Sequence, residues 1–207
     1  MKVFRVIAHV PFLLALWMAP AQTFADTTRS SRELLQEDVN APHMEWAAES
    51  AYLLGFINSP HSYEIAAEFL TARLGWGKVD TDGWLRGYNQ FYVTAMAEPI
   101  VRGIENHYYG FNTGMRYNFV RPYWRLVPYI SGGLGLGWID SHATIHGAQG
   151  QDFTFNILTA VGVAYEINDR LKLNVGALYE HLSNGGQTDP NPSLNLIGPQ
   201  VGLNYSF

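Results

Sequence analysis

His181 and Ser183 stand two residues apart near the end of the chain, and they are the pair of side chains best suited to chemistry. They close an alternating run, Leu171-Lys172-Leu173-Asn174-Val175-Gly176-Ala177-Leu178-Tyr179, which continues as Glu180-His181-Leu182-Ser183-Asn184-Gly185-Gly186. Strict alternation marks a strand whose two faces meet different surroundings. Counting in twos, Leu171, Leu173, Val175, Ala177, Tyr179, His181 and Ser183 share one face. Lys172, Asn174, Gly176 and Glu180 share the other. Packing alone gives no reason to end an apolar face with an imidazole and a hydroxyl. Same-face neighbours on a strand can approach closely enough for the imidazole to take the hydroxyl proton, so Ser183 and His181 are a candidate nucleophile and base. From spacing alone a plainer reading stays open: a polar rim, with Asn184-Gly185-Gly186 as the entry to a loop.

The elements that must position this pair are strands. Segments of alternating character recur at 45–56, 62–74, 84–97, 107–119, 124–139, 151–167, 170–183 and 194–207, separated by turn-forming residues. The breakers include Asn58-Ser59-Pro60, Asp80-Thr81-Asp82-Gly83, Arg121-Pro122 and Asp189-Pro190-Asn191-Pro192, with Asn168-Asp169 as a two-residue hairpin turn. In the sixth segment Phe153, Phe155, Ile157, Val161, Val163, Tyr165 and Ile167 line one face, with Thr159 the polar exception. The opposite face carries Thr154, Asn156, Leu158, Ala160, Gly162, Ala164 and Glu166. A soluble sandwich buries its apolar face. Here the other face is the crowded one, rich in Gly, Ala and small polar groups, as the inside of a narrow barrel must be. After residue 25 no apolar run reaches the length of a membrane helix. The expected fold is therefore all-β, an eight-stranded antiparallel transmembrane β-barrel over residues 45–207. The last strand agrees, since Val201, Leu203, Tyr205 and Phe207 alternate with Gly202, Asn204 and Ser206.

Residues 1–25 read as a secretory signal: Lys2 and Arg5, an apolar stretch from Val6 to Ala19, and Thr23-Phe24-Ala25 before Asp26. Residues 26–44 form a polar leader without a period. The chain has no cysteine, which removes disulfides and thiolate metal sites. A net charge of -5 leaves no basic footprint for nucleic acid.

His181-Leu182-Ser183-Asn184-Gly185-Gly186, followed by Pro190-Asn191 and a final strand, resembles the active-site region of the outer-membrane lipid A 3-O-deacylases, also called acyloxyacyl hydrolases (PagL type). The resemblance spans about the last hundred residues by character, and its motif-grade core is His-x-Ser-Asn-x-Gly. It implies an eight-stranded barrel in the Gram-negative outer membrane that hydrolyses the ester-linked 3-hydroxyacyl chain at position 3 of lipid A. Lipopolysaccharide is then the partner, with no cofactor and no metal; a homo-oligomer is left open. By the same resemblance Ser183 is the nucleophile and His181 the base, while Asn184, Gly186 and Asn191 fall at positions that bind substrate or the oxyanion. The family's orienting glutamate, fourteen residues after the histidine, is replaced here by Asn195. Alternation from Phe207 puts Asn195 on the outward face, within reach of His181. An amide oxygen can accept from the imidazole and fix its tautomer, but it supplies no negative charge. The rival to the enzyme is a non-enzymatic structural, adhesive or binding barrel.

Other features carry less. Gly133-Leu134-Gly135-Leu136-Gly137 is a small inner face rather than a nucleotide loop, because no helix follows it. His142 and His146 read as loop residues. Trp76, Trp84, Tyr123, Trp124 and Trp138 suit the aromatic girdles of a membrane barrel, and Arg121 and Arg125 are candidates for lipid phosphates or for surface ion pairs.

Overall fold

A computed structural model of the chain describes residues 44–55, 62–76, 79, 84–121 and 123–207. The expected signal and nearly all of the leader lie outside the described residues. The strands are β1 (Met44–Gly55), β2 (Tyr63–Trp76), β3 (Gly87–Arg102), β4 (His107–Phe119), β5 (Leu126–Ile139), β6 (Phe153–Glu166), β7 (Leu171–Ser183) and β8 (Leu194–Ser206). Each pairs antiparallel with its sequence neighbours, and β1 pairs β8 to close the barrel. Closure leaves no unpaired edge, the condition for a sheet to stand in hydrocarbon.

Side-chain alternation decides which way the barrel faces. Leu134, Leu136, Val161, Val163, Val175 and Val201 point out and are exposed. Inside, β5 meets its neighbours through Gly133, Gly135 and Gly137 because Tyr92, Asn112, Tyr108 and Asn156 reach across the lumen there. A methyl group at Gly135 would lie inside contact distance of the Phe111 carbonyl. The alternating glycines therefore make room for tyrosines on the strands opposite. Towards the end where β1 starts and β8 finishes, the lumen holds charge. Arg73 pairs with Glu49 at 2.7 Å and Lys172 with Glu45 at 2.9 Å. Gln90, Asn174 and Ser206 donate further hydrogen bonds to those carboxylates. Buried ions are tolerated only when paired and hydrogen-bonded in this way. The Arg116 guanidinium covers the Tyr129 ring at 3.6 Å.

Towards the other end the filling mixes apolar side chains with the buried carboxyl groups of Glu98 and Glu180. Leu182, Leu194 and Leu196, on the closing turns of β7 and β8, are 0%, 1% and 0% exposed. Each buried leucine is worth roughly 1.5–3 kcal/mol against exposure. Because they alternate with His181, Ser183 and Asn195, they fix those three side chains to the outer surface.

Three expectations are revised. The third strand runs to Arg102 rather than stopping at residue 97. Pro99 does not end it: the strand stays in register with β4 through the Pro99–His107 pair, and the β2–β3 register shifts only beyond it, at Val101, between the Ile65–Ile100 and Glu64–Arg102 pairs. The connection at Asn168-Asp169 is longer than a two-residue turn: Asn168 Oδ1 accepts the backbone N–H groups of Arg170 and Leu171 at 2.9 and 2.8 Å. The Arg121 guanidinium is spent on the carbonyls of Trp84, Arg86 and Val120, stitching two turns at the terminal end of the barrel. That end is opposite His181, so neither Arg121 nor Arg125 is placed to meet a phosphate beside the site.

Candidate active site

The register of β7 and β8 puts His181 directly across from Asn195, and Leu182 across from Leu194. His181 Nδ1 and Asn195 Oδ1 are 2.8 Å apart. The amide's orientation follows from its other bond: Asn195 Nδ2 donates to the Ser193 carbonyl at 2.9 Å. A carbonyl can only accept, so the nitrogen of the amide must face it and the oxygen must face the imidazole. An amide oxygen in turn only accepts, so His181 carries its proton on Nδ1. In the neutral imidazole Nε2 then keeps its lone pair, the tautomer a general base requires. The Tyr179 hydroxyl donates to the same Asn195 oxygen at 2.7 Å, occupying its second lone pair. Sequence reasoning placed Tyr179 on this face without giving it a task, although its position two residues before His181 was the available signal.

Ser183 follows on the same outward face and pairs with Phe155 of β6. Both His181 and Ser183 are half-buried. Phe155 stacks edge-on against Phe153, and Phe153 against Trp138, with centroids 5.2 and 6.0 Å apart. The serine thus stands beside an aromatic wall on the hydrocarbon-facing surface, where an acyl chain can lie.

The connection from Asn184 to Ser193 carries the three residues expected at substrate or oxyanion positions, Asn184, Gly186 and Asn191, and uses their polar groups unequally. Asn184 is fully buried, and its Nδ2 donates to the carbonyls of Thr188 and Pro190 at 2.6 and 3.3 Å. Its Oδ1 accepts the Gly186 N–H at 2.9 Å. The Asn184 side chain and the Gly186 N–H are therefore committed to building the loop. Gly186 takes φ +74° and Gly185 φ +67°, a left-handed pair that few other residues tolerate. Asn191 differs. Its Oδ1 accepts the Asn184 N–H at 3.1 Å, which orients the amide and turns Nδ2 away from that bond. Glu180 lies inside the barrel, fully buried, and takes no part in the outer surface. Among the described residues no three His, Cys, Asp or Glu side chains gather as metal ligands.

Comparison with known proteins follows this geometry. The family model for lipid A 3-O-deacylase (PagL) matches residues 63–204, more than half of the chain. Among solved structures, the outer membrane enzyme PagL is 16% identical, covering 79% of this chain and 99% of its own at a TM-score of 0.55. Neisserial surface protein A (NspA) is 16% identical, covering 80% and 97% at a TM-score of 0.57. Ail, the attachment invasion locus protein of Yersinia pestis, is 10% identical, covering 81% and 100% at a TM-score of 0.50. At these identities the structures speak for the fold. A search of curated protein sequences gives no match. The family match places the protein in the Gram-negative outer membrane. The chain belongs to the lipid A 3-O-deacylase (PagL) family.

Proposed function

We propose that the protein is a serine esterase that removes the 3-hydroxyacyl chain ester-linked at position 3 of lipid A, with His181 as its base. The observation that carries this reading is the Asn195–His181 hydrogen bond, which in the neutral imidazole holds the proton on Nδ1 and so frees Nε2 on the face that Ser183 shares. His181 Nε2 takes the Ser183 proton as Oγ attacks the acyl carbonyl carbon. The carbonyl oxygen becomes an oxyanion, and the Asn191 amide is the oriented donor for it. The intermediate collapses by breaking the bond to the sugar oxygen, which leaves with the proton from His181. Water then attacks the acyl-serine, His181 takes its proton, and collapse returns that proton to Ser183 and frees the hydroxy fatty acid. The scheme uses only this chain's side chains and water. Placing the nucleophile on the outside of the barrel suits a substrate whose ester lies in the same leaflet.

The test is mass spectrometry of lipid A after exposure to the refolded protein, beside Ser183→Ala. Loss of one hydroxyacyl chain with the native protein alone supports the reading. Unchanged lipid A with both, folding having been verified, sinks it and favours a non-enzymatic barrel that keeps the rim motif.

A further inference from the structure

The loop that follows Ser183 is held from within mainly through one residue, Asn184. It contains two successive glycines at positive φ, and the internal bonds recorded for it come from Asn184, Asn191 and the Gln187 N–H. Four further bonds reach it or its support from the β5–β6 connection, residues 140–152. The Gly150 N–H donates to the Pro190 carbonyl at 2.7 Å, next to Asn191. Gln151 Nε2 donates to Gln187 Oε1 at 2.8 Å, and Gln151 Oε1 accepts from Thr188 Oγ1 at 2.6 Å. The same Nε2 also donates to the Phe153 carbonyl at 2.9 Å, tying the amide back to β6. Gln151 therefore has its carbonyl oxygen and both amide protons engaged.

The connection is itself well anchored. Ala148 and Gln149 are both 0% exposed, and the Gln149 N–H donates to Glu105 Oε1 at 2.7 Å. Glu105 in turn accepts from the Tyr63 hydroxyl inside the barrel mouth. Asp140 accepts the backbone N–H groups of Asn106 and His107, at 2.8 and 2.9 Å, and the Asn106 side chain at 2.6 Å. Asp152 accepts from the Ser141 N–H and hydroxyl at 3.1 and 2.6 Å. A continuous set of hydrogen bonds thus runs from the β3–β4 connection, through residues 140–152, to the carbonyl beside Asn191.

We propose that the β5–β6 connection is a splint for the loop carrying the oxyanion donor, and that Gln151 is its positioning residue. This rests on the hydrolase reading above. Gln151 touches neither Ser183 nor His181, so its influence falls on where Asn191 sits. An oxyanion donor contributes mainly in the transition state, so displacing it lowers kcat and leaves KM nearly unchanged.

The test compares the full-length refolded protein with Gln151→Ala and Gln151→Glu. The readouts are kinetics on lipid A in detergent micelles and amide hydrogen exchange read by mass spectrometry. For Gln151→Ala the expected result is a fall in kcat of about tenfold, KM within twofold, and faster exchange confined to residues 184–193. Gln151→Glu keeps the acceptor for Thr188 and loses both donated bonds, and is expected to fall between the two. Unchanged exchange in 184–193 overturns the splint. Faster exchange with unchanged kcat overturns the positioning role. Equal loss of protection over the whole barrel, with both variants equally inactive, would make Gln151 a folding residue and also overturn it. A native protein that leaves lipid A intact refutes the hydrolase reading and the positioning role with it, while exchange alone still decides whether the loop is splinted.

Discussion

Replacing Asn195 with alanine separates the consequences of tautomer control from those of the nucleophile. The substitution removes the acceptor 2.8 Å from His181 Nδ1 and the one 2.7 Å from the Tyr179 hydroxyl, and the donor 2.9 Å from the Ser193 carbonyl. Leu194 and Leu196 remain buried in the lumen, so the β7–β8 register is expected to hold. In the transition state the imidazole carries a positive charge, and a hydrogen bond to a charged group is worth about 1.5–3 kcal/mol. At 1.36 kcal/mol per decade, its loss lowers kcat by roughly 10- to 100-fold. Ser183→Ala, by contrast, leaves no nucleophile. The assay is release of hydroxy fatty acid from lipid A in micelles, followed by mass spectrometry, with the barrel's β-sheet circular dichroism as the folding control. A folded Asn195→Ala protein working at the native rate would refute the claim that Asn195 sets the histidine's protonation. Asn195→Asp adds the missing charge but sets a carboxylate oxygen against the Ser193 carbonyl, so an intermediate rate is expected.

Two further outcomes follow from the same geometry. Tyr179→Phe removes the second donor to Asn195 Oδ1 and is expected to lower kcat by about two- to fivefold with KM unchanged, less than Asn195→Ala under the same assay. Burial raises the Asp140 carboxyl, but hydrogen bonds from the Asn106 side chain and from the His107 and Asn106 backbone lower it further, leaving it below its ordinary 3.8. The stabilisation from a lowered carboxyl is complete above its ordinary value and lost as pH falls through the folded one. Limited pepsin digestion at falling pH should therefore spare the 140–152 connection near pH 4 and cut it as Asp140 protonates, while Asp140→Ala should be cut at pH 4 already.

The barrel was legible because its outer and inner faces differ so sharply, in β6 and β7 above all. A period of two in sequence becomes a face in space, and the face of His181, Ser183 and Asn195 could be counted off directly. That Asn195 would meet His181 followed from the same counting. The orientation of its amide did not, because it depends on the Ser193 carbonyl at a residue with φ +53°. The committed role of Asn184 inside its loop was also hidden, since an asparagine's partners there are backbone carbonyls with no sequence signature. Gln151 lay in a stretch without a period, and its contacts join loops that are far apart in the chain. The extension of β3 past Pro99 escaped for a related reason: proline normally argues against a strand, and its pairing with His107 of β4 is a cross-strand contact with no local signal.

The ion pairs and tyrosines that fill the lumen have a consequence for the cell that makes this protein. The space bordered by Glu49, Arg73, Tyr92, Arg116, Tyr129 and Gln200 amounts to about 40 Å³, enough for a water molecule or so and for no hydrated ion train. A lumen packed in this way is expected to pass no ionic current, which single-channel recording in a planar bilayer would check. If the proposed deacylase reading holds, many copies could act on the surrounding lipid without opening a path through the permeability barrier that this lipid provides.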